Sequence, residues 1–248
     1  MYRIQVATDV NFTNIVESKV VSTNSATIQL GYTTTYYWRV RAINAINVSP
    51  WSETRSFTTA PYVLMGTYYI GDAENAHFPT FTAFFNEINN NGALVGGDVT
   101  LVAVSDITEP AQVNIPEFPE YFGTGHSITI TTDNVALRTV SANVPDGAVF
   151  KLLGADRIEF NGGNHNLKII NTATTNGVAI WLASTNTDAA GAENIEIENT
   201  ILATATEDIN LYNTAGIFSG ASTTIGATPI APNNNVVIEN NIFYNAKR

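Results

Sequence analysis

The chain has 248 residues, no cysteine and a net charge of −11, with charged residues making up only 13%. Without cysteine neither disulfides nor thiolate metal sites can staple the fold. The acid excess repels phosphate backbones and argues against nucleic acid as a partner, and no apolar run reaches the ~18–20 residues that cross a bilayer, which argues against membrane insertion. The charge is uneven: residues 1–60 carry +2 and residues 61–248 carry −13. Abundant Asn, Thr, Ile and Val suit β-structure joined by polar turns.

The opening MYRIQVATD alternates, with Tyr2, Ile4 and Val6 on one face of a strand and Arg3 and Gln5 on the other. It lacks a basic stretch followed by an apolar one, so no signal peptide is expected at this start. A short strand is expected around Ala26–Leu30. A second long alternation follows, placing Tyr36, Trp38, Val40 and Ala42 opposite Tyr37, Arg39 and Arg41, and residues 52–58 supply a further strand. Trp38 and Trp51 are expected to pack over arginine stems.

The run Leu30, Tyr36, Trp38-Arg39-Val40-Arg41-Ala42 and Ser49-Pro50-Trp51-Ser52 resembles the second half of a fibronectin type III domain. The resemblance implies a tyrosine corner, with the Tyr36 hydroxyl bonded to backbone near the preceding loop. It also implies that the first two strands of the module are missing, leaving one sheet with a single strand and Tyr2, Trp38 and Val40 uncovered. A change of composition in TAPYVLMG (59–66) marks a boundary.

After a short strand at Tyr68 and Ile70, Phe81, Phe84, Phe85 and Ile88 fall at i, i+3, i+4 and i+7, an amphipathic helix that stops at Asn89–Gly92. Val99, Leu101 and Val104 begin the next strand. A lone helix ahead of many strands suits the open end of a β-solenoid, where it covers apolar core and unpaired backbone. The segment GTYYIGDAENAHFPTFTAFFNEINNNG resembles the opening segment of β-helices in secreted bacterial surface proteins.

Three stretches align without gaps: NLKIINTA (166–173), NIEIENTI (194–201) and NVVIENNI (235–242). Leu167, Ile195 and Val236 form one column, Ile169, Ile197 and Ile238 a second, and Ala173, Ile201 and Ile242 a third. Two columns are pure asparagine: 166, 194 and 235, then 171, 199 and 240. Ala148, Phe150 and Leu152 also match Val178, Ile180 and Leu182 thirty residues on, with Ile217 continuing that column. Offsets that vary around a preserved strand core predict a parallel β-helix, whose coils stack about 4.8 Å apart while its loops differ in length. Stacked asparagines can exchange side-chain hydrogen bonds and adopt the left-handed backbone of a tight corner. An antiparallel sandwich is disfavoured because Asn176-Gly177 does not join adjacent matching strands.

These repeats resemble the right-handed parallel β-helix of the pectin lyase-like superfamily. The expected fold is all-β: residues 1–60 a partial fibronectin type III sandwich, 61–97 a linker and N-terminal helical cap, and 98–248 a β-helix cut short at its C-terminal end. Among outward positions Glu198 and Glu239 share a column, with Glu196 beside them above Lys168. This strip is read either as a solvated face or as a site for Ca²⁺ or a glycan. No catalytic residue is assigned, because the paired aspartates and His-Gly of the hydrolase relatives and the calcium-aspartate cluster of the lyases are not found. Arg138 and Arg157 stand apart, Arg157 being expected to pair with a neighbouring carboxylate. His77, His126 and His165 are too scattered for zinc, and Gly162-Gly163 reads as a corner. Two functions remain: a non-catalytic extracellular adhesion protein whose partner is a polysaccharide or cell-surface glycan, or a polysaccharide lyase or glycoside hydrolase whose catalytic coils lie outside this chain.

Overall fold

The structure is a computed structural model that describes residues 1–120, 125–185, 190–205 and 215–245. Its contacts divide the chain into two units, Met1–Tyr62 and Val63–Arg248.

The first unit is one antiparallel sheet of four strands in the order β2-β1-β3-β4: β1 (Tyr2–Ala7), β2 (Ile15–Val21), β3 (Thr35–Ala42) and β4 (Arg55–Thr58). Register pairs Ile4 with Val40 and Val6 with Trp38, so the expected apolar face forms across two strands. On the opposite face the Arg39 guanidinium lies 3.9 Å from the Phe12 ring centre and 4.5 Å from that of Trp51, and Arg41 lies 4.4 Å from Trp51. Trp38 lies on the other face from Arg39 and Arg41, where its direct cross-strand partner is Arg55. The tyrosine corner is present: Gly31 N donates to the Tyr36 hydroxyl at 3.0 Å.

The strand expected at Ala26–Leu30 does not form, and Ile15–Val21 pairs with β1 instead. The cause is the turn before it. The Asp9 carboxylate accepts from the amides of Asn11, Thr13 and Asn14 at 3.0, 3.1 and 2.7 Å, which reverses the chain and lays IVESKVV alongside β1.

In the second unit every strand ladder among the described residues is parallel. The chain winds through β5 (Val63–Ile70), α1 (Phe81–Asn89), β6 (Leu94–Ala103), β7 (Ile107–Thr108), β8 (Val113–Pro116), β9 (Ile128–Thr132), β10 (Arg138–Ala142) and β11 (Gly147–Leu153). It continues through β12 (Ile158–Asn161), β13 (Leu167–Asn171), β14 (Gly177–Ser184), β15 (Glu193–Glu198), β16 (Thr200–Thr204), β17 (Ala215–Ala221), β18 (Asn234–Glu239) and β19 (Ile242–Tyr244). The strands assemble into three sheets, β18-β15-β12-β9-β6-β5, β19-β16-β13-β10-β7 and β17-β14-β11-β8. This is a β-solenoid of about four turns, each turn giving one strand to each sheet. Residues 61–97 therefore contribute a strand of the first sheet as well as the helix. In β6 the inward column is Val99, Leu101 and Ala103; Val104 lies beyond the strand and outside that column.

The interior is a set of stacked apolar columns, as alternation requires. Phe150 sits between Val113 and Ile180, and Ile217 extends the column, matching the offset of thirty seen in the sequence. Ile195 pairs with Val236, Ile197 with Ile238 and Ile201 with Ile242. The first of the three aligned stretches does not join this stack. Leu167 pairs with Thr200 and Ile169 with Leu202, placing NLKIINTA in a different sheet from NIEIE and NVVIE. The same Asn-apolar-x-apolar pattern recurs at two corners of one coil, because both strands leave a left-handed residue: His165 (φ 59°) for β13 and Asn194 (φ 52°) within β15.

The asparagine ladders persist between the last two repeats. Asn194, Asn199, Asn235 and Asn240 all have φ between 49° and 55°, and Asn235 and Asn240 each donate to the asparagine below at 2.5 Å. Asn166 and Asn171 lie outside them. At the Gly162 corner a Cβ would meet the Asn199 carbonyl oxygen at 2.1 Å, so a side chain there would collide with the next coil.

Helix α1 buries Phe81, Phe84, Phe85 and Ile88 and caps the first coils; Phe81 meets Phe150 edge-to-face at 5.4 Å. Its N-terminus is satisfied from two sides. Thr80 Oγ1 accepts from Ala83 N at 3.1 Å, and the carboxylate of Glu109, only 3% exposed, accepts from Phe81 N (2.8 Å), Thr82 N (3.0 Å) and Thr82 Oγ1 (2.6 Å). Burial raises the Glu109 pKa above the ordinary glutamate value, against these hydrogen bonds, which lower it. A folded value above the unfolded one means that the group's contribution is full below the unfolded pKa and declines as pH rises through the folded value. Glu109→Gln is therefore expected to flatten the fall in stability from acid to neutral pH. Glu109→Ala, which orphans three donors, is expected to cost about 2 kcal/mol. Urea denaturation of both variants across that pH range checks this.

Candidate functional site

The outward face of the six-stranded sheet gathers the predicted residues. Outward side chains on parallel strands in register stack at the strand spacing, about 4.8 Å. Glu198 pairs with Glu239 on the next coil and with Asn161 on the previous one. Glu196 pairs with Glu159, not with Lys168; Lys168 lies in the five-stranded sheet against Thr139 and Ile201. The correction matters electrostatically, because a fourth carboxylate replaces an expected cation.

Oxygens of Glu196, Glu198 and Glu239 lie within 4.8 Å of one another, with Glu198 half-buried between two exposed neighbours. Asn161 Nδ2 donates both to Glu198 Oε1 and, at 3.1 Å, to Glu159 Oε1, while Thr129 Oγ1 donates to Glu159 Oε2 at 2.9 Å. The ion pairs among the described residues, Arg138 with Asp133 and Arg157 with Glu120 and Asp156, do not reach this strip. Burial, followed by the charges of Glu196, Glu159 and Glu239, raises the Glu198 pKa; the bond from Asn161 works the other way. Converging carboxylate oxygens without a paired cation form a donor set suited to a hard divalent ion such as Ca²⁺, which takes six to eight oxygens and accepts water or ligand hydroxyls for the remainder.

The other singled-out residues have local tasks. Arg157 bonds Glu120 at 2.6 Å, Asp156, and the His126 carbonyl at 2.8 Å, tying adjacent coils together at a left-handed corner (φ 56°). Arg138 binds Asp133 in bidentate fashion at 3.0 and 2.5 Å. His77 Nδ1 accepts from Tyr69 N at 2.9 Å and its ring stacks on Tyr69, whereas His165 Nε2 lies 2.8 Å from the Asn240 carbonyl oxygen. His126 lies in the connection that precedes β9.

Sequence reasoning missed Glu159. Its strand, IEFN, follows the same outward pattern as IEIE in β15, but an offset of 37 and the Phe160 substitution hid the match. Also missed was a second apolar layer outside the four-stranded sheet. There Trp181, 2% exposed, packs with Ala148, Val178, Ala183 and Phe218, and Lys151 Nζ lies 4.0 Å from its ring while donating to the Ser222 carbonyl at 2.7 Å. An unbroken apolar run, VAIWLA, was the available signal, because both faces of β14 are buried.

No helix among the described residues is long and apolar enough to cross a membrane. Neither a curated protein nor a solved structure matches the chain. Residues 1–62 match the family model described as Rha78A-like, N-terminal immunoglobulin domain, so the chain is an immunoglobulin-like unit followed by a β-solenoid of about four turns.

Proposed function

We propose that this protein is a non-catalytic, extracellular surface or adhesion module of a secreted bacterial protein, in which the solenoid is a stiff stalk with a glycan-contacting face. On this reading the first unit is a fibronectin type III-like spacer and the solenoid belongs with pectin lyase-like β-helices. The observation that supports it best is the convergence of Glu196, Glu198 and Glu239 beside Glu159 on an open, regular sheet face. Such a strip would hold Ca²⁺ and present the ion's remaining coordination positions to sugar hydroxyls.

The Glu198 pKa gives the test a sign. A carboxyl whose folded pKa is raised favours the fold fully below its unfolded value, and that contribution is lost as pH rises through the folded value. At neutral pH Ca²⁺ should offset the loss. Thermal melts should shift upward with millimolar Ca²⁺, by about 1.4 kcal/mol of stability at ten times the dissociation constant. Glu198→Gln should melt no lower than wild type without calcium and should lose the calcium-dependent shift. Equal shifts in both proteins would refute the site. The competing reading is a lyase or hydrolase whose catalytic coils lie outside this chain, for which the parallel solenoid would be the scaffold. Release of reducing or unsaturated sugars from polysaccharides by this chain would overturn the non-catalytic reading; none is expected.

A further inference from the structure

We propose that the arginine-bearing face of the immunoglobulin-like unit binds an acidic polysaccharide through its sugar carboxylates, at a site separate from the glutamate strip of the solenoid. This face is opposite the one formed by Ile4, Trp38 and Val40, so it does not depend on what covers that apolar side. Alternation puts Arg3 and Gln5 of β1 on it, and register sets Arg3 against Arg41 and Gln5 against Arg39 of β3. The segment after β3 then positions Trp51. Ser52 N donates to the Val40 carbonyl at 2.8 Å, while Ser49 Oγ and Ser52 Oγ accept from Ala42 N and Val40 N, each at 3.0 Å. Tied down on both sides, Trp51 meets the guanidinium groups of Arg39 and Arg41, and Arg39 also meets Phe12.

Three guanidinium groups on one face call for a counter-charge, and the unit supplies none. Of the three acidic residues in positions 1–60, Glu17 pairs with Val6 on the opposite face, and Asp9 accepts from three amides of its own turn. Glu53 forms no ion pair among the described residues. Arg39 is held by the protein, its Nε and one terminal nitrogen both donating to Gln5 Oε1 at 3.0 and 2.8 Å. The side chains of Arg3 and Arg41 have no hydrogen-bond acceptor among the described residues, and the Arg41 Nε is shielded from water as well. A donor in that position lacks both kinds of partner, and a small turn of the side chain toward an arriving carboxylate would supply one in the two-pronged geometry that guanidinium favours. Stacking on rings limits the side-chain freedom that binding would cost. Ser18 and Tyr37 add hydroxyls to the same face, which suits a hydroxyl-rich sugar chain. The class of ligand is taken from the function proposed above, but the site uses none of the calcium strip.

The test uses the full chain and a fluorescently labelled oligoglucuronate, with EDTA present so that the calcium strip cannot contribute. Fluorescence anisotropy should show saturable binding that weakens as salt is raised. The same oligosaccharide with its carboxyl groups reduced to alcohols should bind about tenfold or more weakly, because it keeps the sugar rings and loses the charge. On the protein side, Arg3→Gln and Arg41→Gln should each weaken binding by about fivefold. Arg41→Lys should recover only part of that loss, since an ammonium keeps the charge without the fork. Near-UV circular dichroism would verify that the variants remain folded, and the comparison of the two oligosaccharides on the unaltered chain does not depend on them. Equal binding of the reduced oligosaccharide, or no binding of the acidic one, would overturn the proposal. Equal or tighter binding of a polyglutamate peptide would assign the face to an acidic polypeptide instead. Self-association at low salt that Arg3→Gln and Arg41→Gln abolish, seen by analytical ultracentrifugation, would assign it to the acidic solenoid of a second copy. The calcium-dependent melting shift is measured without sugar and this affinity without calcium, so either site can fail alone.

Discussion

Phe150→Ala is expected to lower the unfolding free energy of the solenoid by about 3–5 kcal/mol, the cost of removing a fully buried aromatic. The ring joins three parts of the structure. It stacks in a column between Val113 below and Ile180 above, meets Phe160 across the interior at 5.2 Å, and meets Phe81 of the capping helix at 5.4 Å. Truncation therefore opens a cavity and removes two edge-to-face ring contacts, worth about 0.5–1.5 kcal/mol each beyond burial. The coupling to α1 yields a second readout. Hydrogen exchange of the helix amides should accelerate more than that of β15 and β18, which lie coils away. Phe150→Leu, which keeps most of the volume, should cost less than half as much as the alanine change. A leucine variant as unstable as the alanine one would show that the rings, and not the filled volume, dominate.

Asn171→Ala is expected to cost about 3 kcal/mol, an effect that side-chain volume does not account for. Asn171 is fully buried at the bend between the five- and four-stranded sheets, and its side chain acts as a backbone surrogate. Oδ1 accepts from Val144 N at 3.2 Å and Ala173 N at 3.1 Å, and Nδ2 is placed to donate to the carbonyls of Val144 (3.0 Å), Gly147 (3.1 Å) and Val178 (3.2 Å). The side chain thus ties the bend residues Val144 and Ala173 to Gly147 and Val178 at the starts of the next two stacked strands. Leaving such groups unpaired costs about 1–3 kcal/mol each before relaxation. Asn171→Leu restores volume without hydrogen bonds and should be no more stable than the alanine variant. Recovery by leucine to within about 1 kcal/mol of wild type would show that packing, not polar satisfaction, governs the bend.

Much of this architecture is legible in short stretches. The 3.6-residue spacing of Phe81, Phe84, Phe85 and Ile88 identifies α1 without any knowledge of its surroundings. The offset between Ala148–Leu152 and Val178–Leu182 identifies two stacked strands correctly, because a corner of constant length separates equivalent residues. The left-handed asparagines are equally local: Asn tolerates positive φ, and its amide can bond the copy one coil away. Glu109 was invisible by contrast. A lone glutamate in DITEP carries no sign that, once folded, it meets a helix N-terminus 28 residues earlier.

The candidate strip divides along the same line. Glu198 and Glu239 could be paired from the sequence, since NIEIEN and NVVIEN repeat with the same corner on either side. Glu159 could not, because its strand stacks at an offset of 37 under a different corner, and the apparent repeat at 166–173 drew the alignment into the wrong sheet. Alternation and turn chemistry therefore establish from the chain alone that this is an all-β protein with a parallel solenoid, a helical cap and asparagine corners, since each depends on neighbours within a few residues. Which strand lies on which is settled only by the fold. Register is a long-range choice made by filling the interior and satisfying the bends, and it alone brings four carboxylates together where the sequence suggested three beside a lysine.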